Sequence, residues 1–142
     1  MNITSNPLPN PVPVHKTDSQ WQVDLTPEQY AVCRCSATEP PFSGRWYRHR
    51  QMGTYVCVAC RAKLFASEAK FDSGSGWPCF FRPCQPVAVS LCRVENQGRH
   101  LTEVRCANCE SHLGHLFSDG PRPTGMRYCV NSVALDFIPA PV

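Results

Sequence analysis

From Tyr47 onward the apolar residues of this chain come in short runs, Thr54 to Cys57, Val87 to Val94, Leu101 to Cys106 and Arg127 to Phe137, each closed by Gly, Pro, Asn or Ser. Runs of that length between turn-forming residues predict short strands and an antiparallel β domain. Upstream the pattern changes. Thr26-Pro27-Glu28-Gln29 reads as a helix start, with Thr26 as N-cap, Pro27 in the first turn and Gln29 closing a capping box, so one short helix is expected to run to about Cys35. Residues 1–22 carry Pro7, Pro9, Pro11 and Pro13 among Asn, Ser and Thr, and are expected to form a disordered tail ahead of a single domain over 23–142. Two loops, Asp72–Pro78 and Ser118–Gly125, are dense in residues that permit unusual backbone angles, and such loops often carry function.

At 142 residues and 42% hydrophobic content, the chain can bury a modest core, which a metal staple would help to hold. Its 14 Lys and Arg against 11 Asp and Glu are scattered rather than clustered, which argues against a nucleic-acid partner. No stretch approaches the ~18 apolar residues of a membrane span. The first twenty residues lack the basic start and apolar core of a secretory signal, and no arginine precedes Arg34 as a mitochondrial address would require. A soluble, cytoplasmic protein is expected. In a reducing compartment its ten cysteines bind metal or do redox work rather than form a disulfide scaffold.

Nine of those cysteines precede Cys129, and four form two Cys-x-x-Cys pairs, Cys57/Cys60 and Cys106/Cys109. Four thiolates fill a tetrahedral sphere and leave no position for a catalytic water, so these residues are expected to hold one structural zinc ion. Two redox-active pairs or ordinary disulfides are the competing readings. Cys129 stands apart, in Arg127-Tyr128-Cys129-Val130-Asn131-Ser132. Alternation along a strand would set Arg127, Cys129 and Asn131 on one face, where the guanidinium would favour the thiolate. The other reading of Cys129 is a small buried hydrophobe. His112 and His115, just after the second cysteine pair, supply two imidazoles for acid/base work, substrate binding or a structural role.

Phe71-Asp72-Ser73-Gly74-Ser75-Gly76-Trp77-Pro78, His112-Leu113-Gly114-His115, Asp119-Gly120-Pro121 with Pro123-Thr124-Gly125, and Arg127 to Ser132 together resemble the methionine-R-sulfoxide reductase B family. Thr38 to Gly44 and both cysteine pairs are similar too, so the resemblance spans about Leu25 to Phe137. It implies a mainly β fold of two antiparallel sheets around a small core, with a short N-terminal helix and a four-cysteine zinc site opposite the active site. It further implies reduction of methionine (R)-sulfoxide, free or in proteins, by attack of Cys129 on the sulfoxide sulfur, leaving a sulfenic acid. Trp77 would pack against the substrate methyl group, His112, His115 and Asn131 would position or protonate the oxygen, with His115 as the first choice of acid, and Arg127 would tune Cys129.

The chain departs from the commonest family pattern between the two glycines before Trp77, where Ser75 replaces a second cysteine. Serine forms no disulfide, so the sulfenic acid must be resolved by another cysteine or by an external thiol. Cys33 and Cys35, at the end of the expected helix, are the preferred resolvers, followed by Cys79, with Cys84 and Cys92 also available. Thioredoxin or a similar dithiol is the expected reductant of a monomeric enzyme. Two readings from other classes compete: a zinc-stapled binding module, which has no need of Cys129, and a disulfide oxidoreductase using Cys57/Cys60.

Overall fold

In the computed structural model the chain is described over residues 14–141. Two short helices come first, α1 (Asp18–Asp24) and α2 (Pro27–Cys35). Strands β1 (Gly53–Cys57), β2 (Lys63–Ala66) and β9 (Leu135–Pro139) form a three-stranded sheet in the order β2-β1-β9. The other sheet has six strands in the order β3-β4-β8-β7-β6-β5, from β3 (Lys70–Phe71), β4 (Cys79–Phe80), β5 (Val89–Asn96), β6 (Arg99–Cys106), β7 (His112–Phe117) and β8 (Arg127–Val130). Every pairing is antiparallel. The fold is therefore mainly β with two antiparallel sheets, as expected.

The sheets meet through aromatic side chains. Phe65 of β2 stacks on Phe80 of β4 with centroids 4.3 Å apart and planes at 12°, and Tyr55 of β1 meets the same ring edge-on at 5.2 Å. Each such pair contributes about 0.5–1.5 kcal/mol beyond the area it buries. Phe80, Val104, Leu113 and Val130 are fully buried, so this side of the large sheet is the core side.

Helix α2 begins as its sequence dictates: Thr26 Oγ1 accepts from Gln29 N–H, and the Gln29 side chain accepts from Thr26 N–H. The expected tail needs correction. Asp18–Asp24 is a helix, and residues 1–13 lie outside the described residues. Thr17 and Gln20 form the same reciprocal capping box, a Thr-x-x-Gln signal that the surrounding prolines obscured. The helix is held by Trp21, 2% exposed, whose ring lies under the guanidinium of Arg34 at 4.5 Å and the ammonium of Lys16 at 4.9 Å. Arg34 in turn donates to Cys109 O and Ser111 Oγ, tying both helices to the second cysteine pair.

The single strand expected over Arg127 to Phe137 is two strands in different sheets. β8 ends at Val130, a 3-10 turn occupies Ser132–Ala134, and β9 starts at Leu135. The chain changes sheet because side chains capture it there: Ser132 Oγ accepts from Trp46 N–H, and Glu39 Oε1 accepts from Val133 N–H. None of the helices among the described residues is long and apolar enough to cross a membrane.

Candidate active site and metal centre

The two cysteine pairs fold into matching turns. Arg61 N–H donates to Cys57 O and Cys57 N–H to Ala62 O, while Glu110 N–H donates to Cys106 O and Cys106 N–H to Ser111 O. The residue after each pair, Arg61 and Glu110, takes a positive φ of 73° and 64°, which aims both sulfurs of a pair to one side. All four sulfurs lie within 4.8 Å of one another, and Cys57 to Cys109 and Cys60 to Cys106 are each 3.6 Å apart. A tetrahedron with metal–sulfur bonds of ~2.3 Å has edges of about 3.8 Å, so this cluster could hold a metal ion with little movement.

The core-averted side of the large sheet carries the remaining chemistry. Cross-strand registers place Cys79 opposite Cys129, Cys129 opposite His115, and His115 opposite Glu103, forming a continuous row across β4, β8, β7 and β6. Directly opposite residues share a face, so four functional groups from distant sequence positions are brought together. His112 joins them through an irregularity. Three residues away along β7, its side chain would normally point opposite to that of His115. The register between β6 and β7 shifts, Arg105 pairing with His112 but Val104 with Gly114, so Leu113 is an extra residue in a β-bulge. The bulge turns His112 back, and the two imidazole rings meet at 5.4 Å.

Glu103 fixes His112. Its carboxylate is 2.6 Å from His112 Nδ1 and accepts from Arg105 Nε at 2.8 Å, with the Glu103 and His112 side chains only 5% and 4% exposed. His112 Nε2, at the opposite side of the ring, is buried without a hydrogen-bond partner. It is therefore the ring nitrogen whose hydrogen-bonding capacity the protein leaves unused. The His115 ring is half-buried, and burial followed by the neighbouring His112 lowers its pKa, with Glu103 pulling it back up.

Arg127 lies on the same strand face as Cys129. It makes a two-point ion pair with Asp119 at 2.8 and 3.2 Å and covers the Phe117 ring at 4.3 Å. Its charge lowers the Cys129 pKa as expected, but a nearer group outweighs it. The hydrogen bond with Cys79, then burial, push the Cys129 thiol up, while Cys79 is lowered to about 6 by its bond with Cys129 and by Ser73, Ser75 and Arg127. A second thiolate beside the first would be strongly repelled, so ionisation of Cys79 disfavours ionisation of Cys129. Ser73 Oγ is 3.1 Å and Ser75 Oγ 3.5 Å from Cys79 Sγ. Cys79 is fully buried and Cys129 half-buried.

Trp77 sits at the end of the glycine loop, its Nε1–H donating to Glu39 O at 3.0 Å. Gly76 takes φ +96°, and a Cβ there would come within 2.6 Å of Pro41, so only glycine lets the Thr38–Gly44 segment lie against this loop. Asn131 lies past the end of β8. Its Oδ1 accepts from Glu39 N–H and its Nδ2–H donates to Leu113 O, both at 2.9 Å, so its amide braces the Thr38–Gly44 segment against the bulge. It is 3% exposed.

The remaining cysteines lie elsewhere. Cys33 is buried, its thiol pushed up to about 12 by burial and by Cys109, beside the metal-type cluster. Cys35 is exposed at the end of α2. Cys84 Sγ donates to Lys63 O, and Cys92 stands on β5 opposite Glu103. Sequence reasoning missed Glu103, and held Ser73 and Asp119 only as members of family-like motifs without a role of their own. Nothing local marks Glu103, because a charge alternating with apolar residues on a strand reads as solvent-facing.

The SelR domain family matches residues 25–139. The chain is 55% identical over 121 residues to a protein of Thioalkalivibrio sulfidiphilus named peptide methionine sulfoxide reductase MsrB, covering 85% of this chain and 88% of that protein. Proteins with the same name from Acinetobacter baumannii, 52% identical over 122 residues, and Leptospira interrogans, 49% identical over 124, cover 86% and 87% of this chain and 88% and 95% of their own lengths.

Proposed function

Since the chain belongs to the SelR-domain family and is, with such relatives, a peptide methionine sulfoxide reductase, we propose that it reduces the R epimer of methionine sulfoxide, free or in proteins, with Cys129 as nucleophile. The observation that carries this reading is the register of Cys129, which puts a partly buried cysteine between an imidazole on one side and a second thiol on the other.

Cys129 is the more accessible member of the thiol pair, and Cys79, opposite it across the strands, can take its proton as it attacks the sulfoxide sulfur. Sulfoxide oxygen leaves poorly without a proton, and a positioned acid supplies ~10²–10⁴-fold. His115, across the strand pair, and His112 Nε2, turned into the site by Glu103, are the groups that deliver it. The oxygen passes to Cys129 as a sulfenic acid, two electrons move from the thiol to the substrate, and methionine leaves. Trp77, clamped by Glu39 O, offers an indole face for the substrate methyl group.

We assign the four-cysteine cluster to zinc, whose preference for four thiolates matches these donors. The ion would hold the two turns together and leave no open position for substrate. Another thiol resolves the sulfenic acid, and a protein dithiol such as thioredoxin completes the cycle. Ten unpaired cysteines suit a reducing cytoplasm.

A dithiothreitol-driven assay with separate R and S sulfoxides of an N-blocked methionine tests this reading. Turnover of R alone by the parent, and none by Cys129→Ser, is expected. Turnover of S, or activity in the variant, would overturn it.

A further inference from the structure

We propose that Cys79 resolves the sulfenic acid, so that each cycle closes a disulfide straight across the β4–β8 pair. The inference rests on Cys129 being the sulfur that takes up the oxygen. Register is the first support. Cys79 and Cys129 are direct partners, and Val130 N–H donates to Pro78 O at 3.0 Å immediately beside them. That bond makes Cys79/Cys129 a non-hydrogen-bonded pair, the kind with Cα atoms ~4.5 Å apart and the closest side chains. Disulfides span Cα separations of ~4.4–6.8 Å, so the two sulfurs can join without a rearrangement of the backbone. The reciprocal ladder bond is missing because Pro78 has no N–H, and β4 is two residues long, so little main-chain bonding resists a small adjustment.

Charge is the second support. Ser73 and Ser75 hydroxyls lie against Cys79 Sγ and can stabilise its thiolate. Ser75 stands between the loop glycines with no thiol of its own to offer, and its hydroxyl serves the adjacent sulfur instead. The third support is the position of the alternatives. Cys33 is sealed beside the metal-type cluster, Cys35 is exposed at the end of α2, Cys84 bonds Lys63 O, and Cys92 is three strands away from β8 in the sheet order.

The chemistry balances. Cys79, protonated in the first step, gives up that proton and attacks the Cys129 sulfur as thiolate, and the S–S bond forms as the S–O bond breaks. The oxygen leaves as hydroxide and is protonated to water by the proton released from Cys79, which His115, opposite Cys129 in the row, can relay. The two thiols have then given up the two electrons that reduced the sulfoxide. A dithiol reductant reverses the oxidation by attacking the Cys129 sulfur, the more accessible of the two, expelling Cys79 as thiolate; the less basic sulfur is the faster leaving group.

The test is a single turnover without reductant, using the full chain and the R sulfoxide of an N-blocked methionine, followed by alkylation and mass mapping. One methionine per chain, two thiols lost and a Cys79–Cys129 cross-link are expected. The Cys79→Ser variant lacks the group that takes the Cys129 proton, so it should release methionine more slowly; the sulfenic acid it forms on Cys129 should stay dimedone-reactive and unpaired, and turnover driven by a protein dithiol should be lost. Methionine release with Cys129 joined to any other cysteine, or left unpaired in the parent, overturns the proposal while sparing the reductase reading. Absence of methionine release from the parent would instead remove the premise and the proposal with it. The mapping of the parent decides even if Cys79→Ser does not fold.

Discussion

Replacing Asn131 by alanine separates two roles that the sequence alone leaves tangled, oxygen positioning and structural bracing. In the fold its amide makes two buried hydrogen bonds, accepting from Glu39 N–H and donating to Leu113 O. Leu113 O keeps a partner after truncation, because Asn131 N–H also donates to it at 2.9 Å. Glu39 N–H does not: the residue is 4% exposed, and this amide would be left buried and unpaired. An orphaned donor costs ~1–3 kcal/mol and a lost ordinary bond ~0.5–1.5, so the variant should lose about 3 kcal/mol of stability. At roughly 3–4 °C per kcal/mol for a chain of this size, thermal unfolding followed by circular dichroism should shift down by about 10 °C. The Thr38–Gly44 segment is released at the same time, so Trp77 loses the fixed carbonyl of Glu39 and KM should rise along with the loss of stability. An unchanged melting temperature with abolished kcat would refute the bracing argument and return Asn131 to direct contact with the sulfoxide oxygen.

Glu103 is a positioning residue, and Glu103→Gln should lower kcat roughly 10- to 100-fold, part of the ~10²–10⁴ that a placed proton donor supplies. Because the Glu103 charge raises the pKa of His115, its removal should also move the alkaline limb of the kcat profile to lower pH; a stability loss with an unmoved profile would show a merely structural role. Chelation should release one zinc ion per chain and abolish the cooperative thermal transition, since the two cysteine turns join β1, β6, β7 and, through Arg34, the helices. Retention of the native near-ultraviolet spectrum after metal loss would contradict that.

Features governed by short-range geometry were legible without coordinates. A Cys-x-x-Cys turn needs only its own residues to aim two sulfurs together, and both turns adopt one geometry. A Thr-x-x-Gln capping box closes within a single helical turn, at Thr26 as read and equally at Thr17, where the signal was present but masked by the prolines around it. The glycine loop with Trp77, the two histidines and the Arg127 to Ser132 segment likewise carried the family reading, and their order along the chain is a property of sequence.

Pairing across strands was beyond that reach. Cys79 and Cys129 are fifty positions apart, and only the β4–β8 register makes them neighbours; a slip of one residue would send one sulfur to the core side. Position at the end of α2 says nothing of what Cys33 and Cys35 face; the fold packs Cys33 beside Cys109 and leaves Cys35 exposed. The bulge at Leu113 is equally non-local, since an extra residue is defined only against the strand opposite it, yet it turns His112 toward His115 and onto Glu103. Residue types and spacing thus determined which chemistry this chain can perform. Long-range strand register decided which groups meet, because a strand's alternation fixes relative faces but leaves the choice of partner to the packing of the whole sheet.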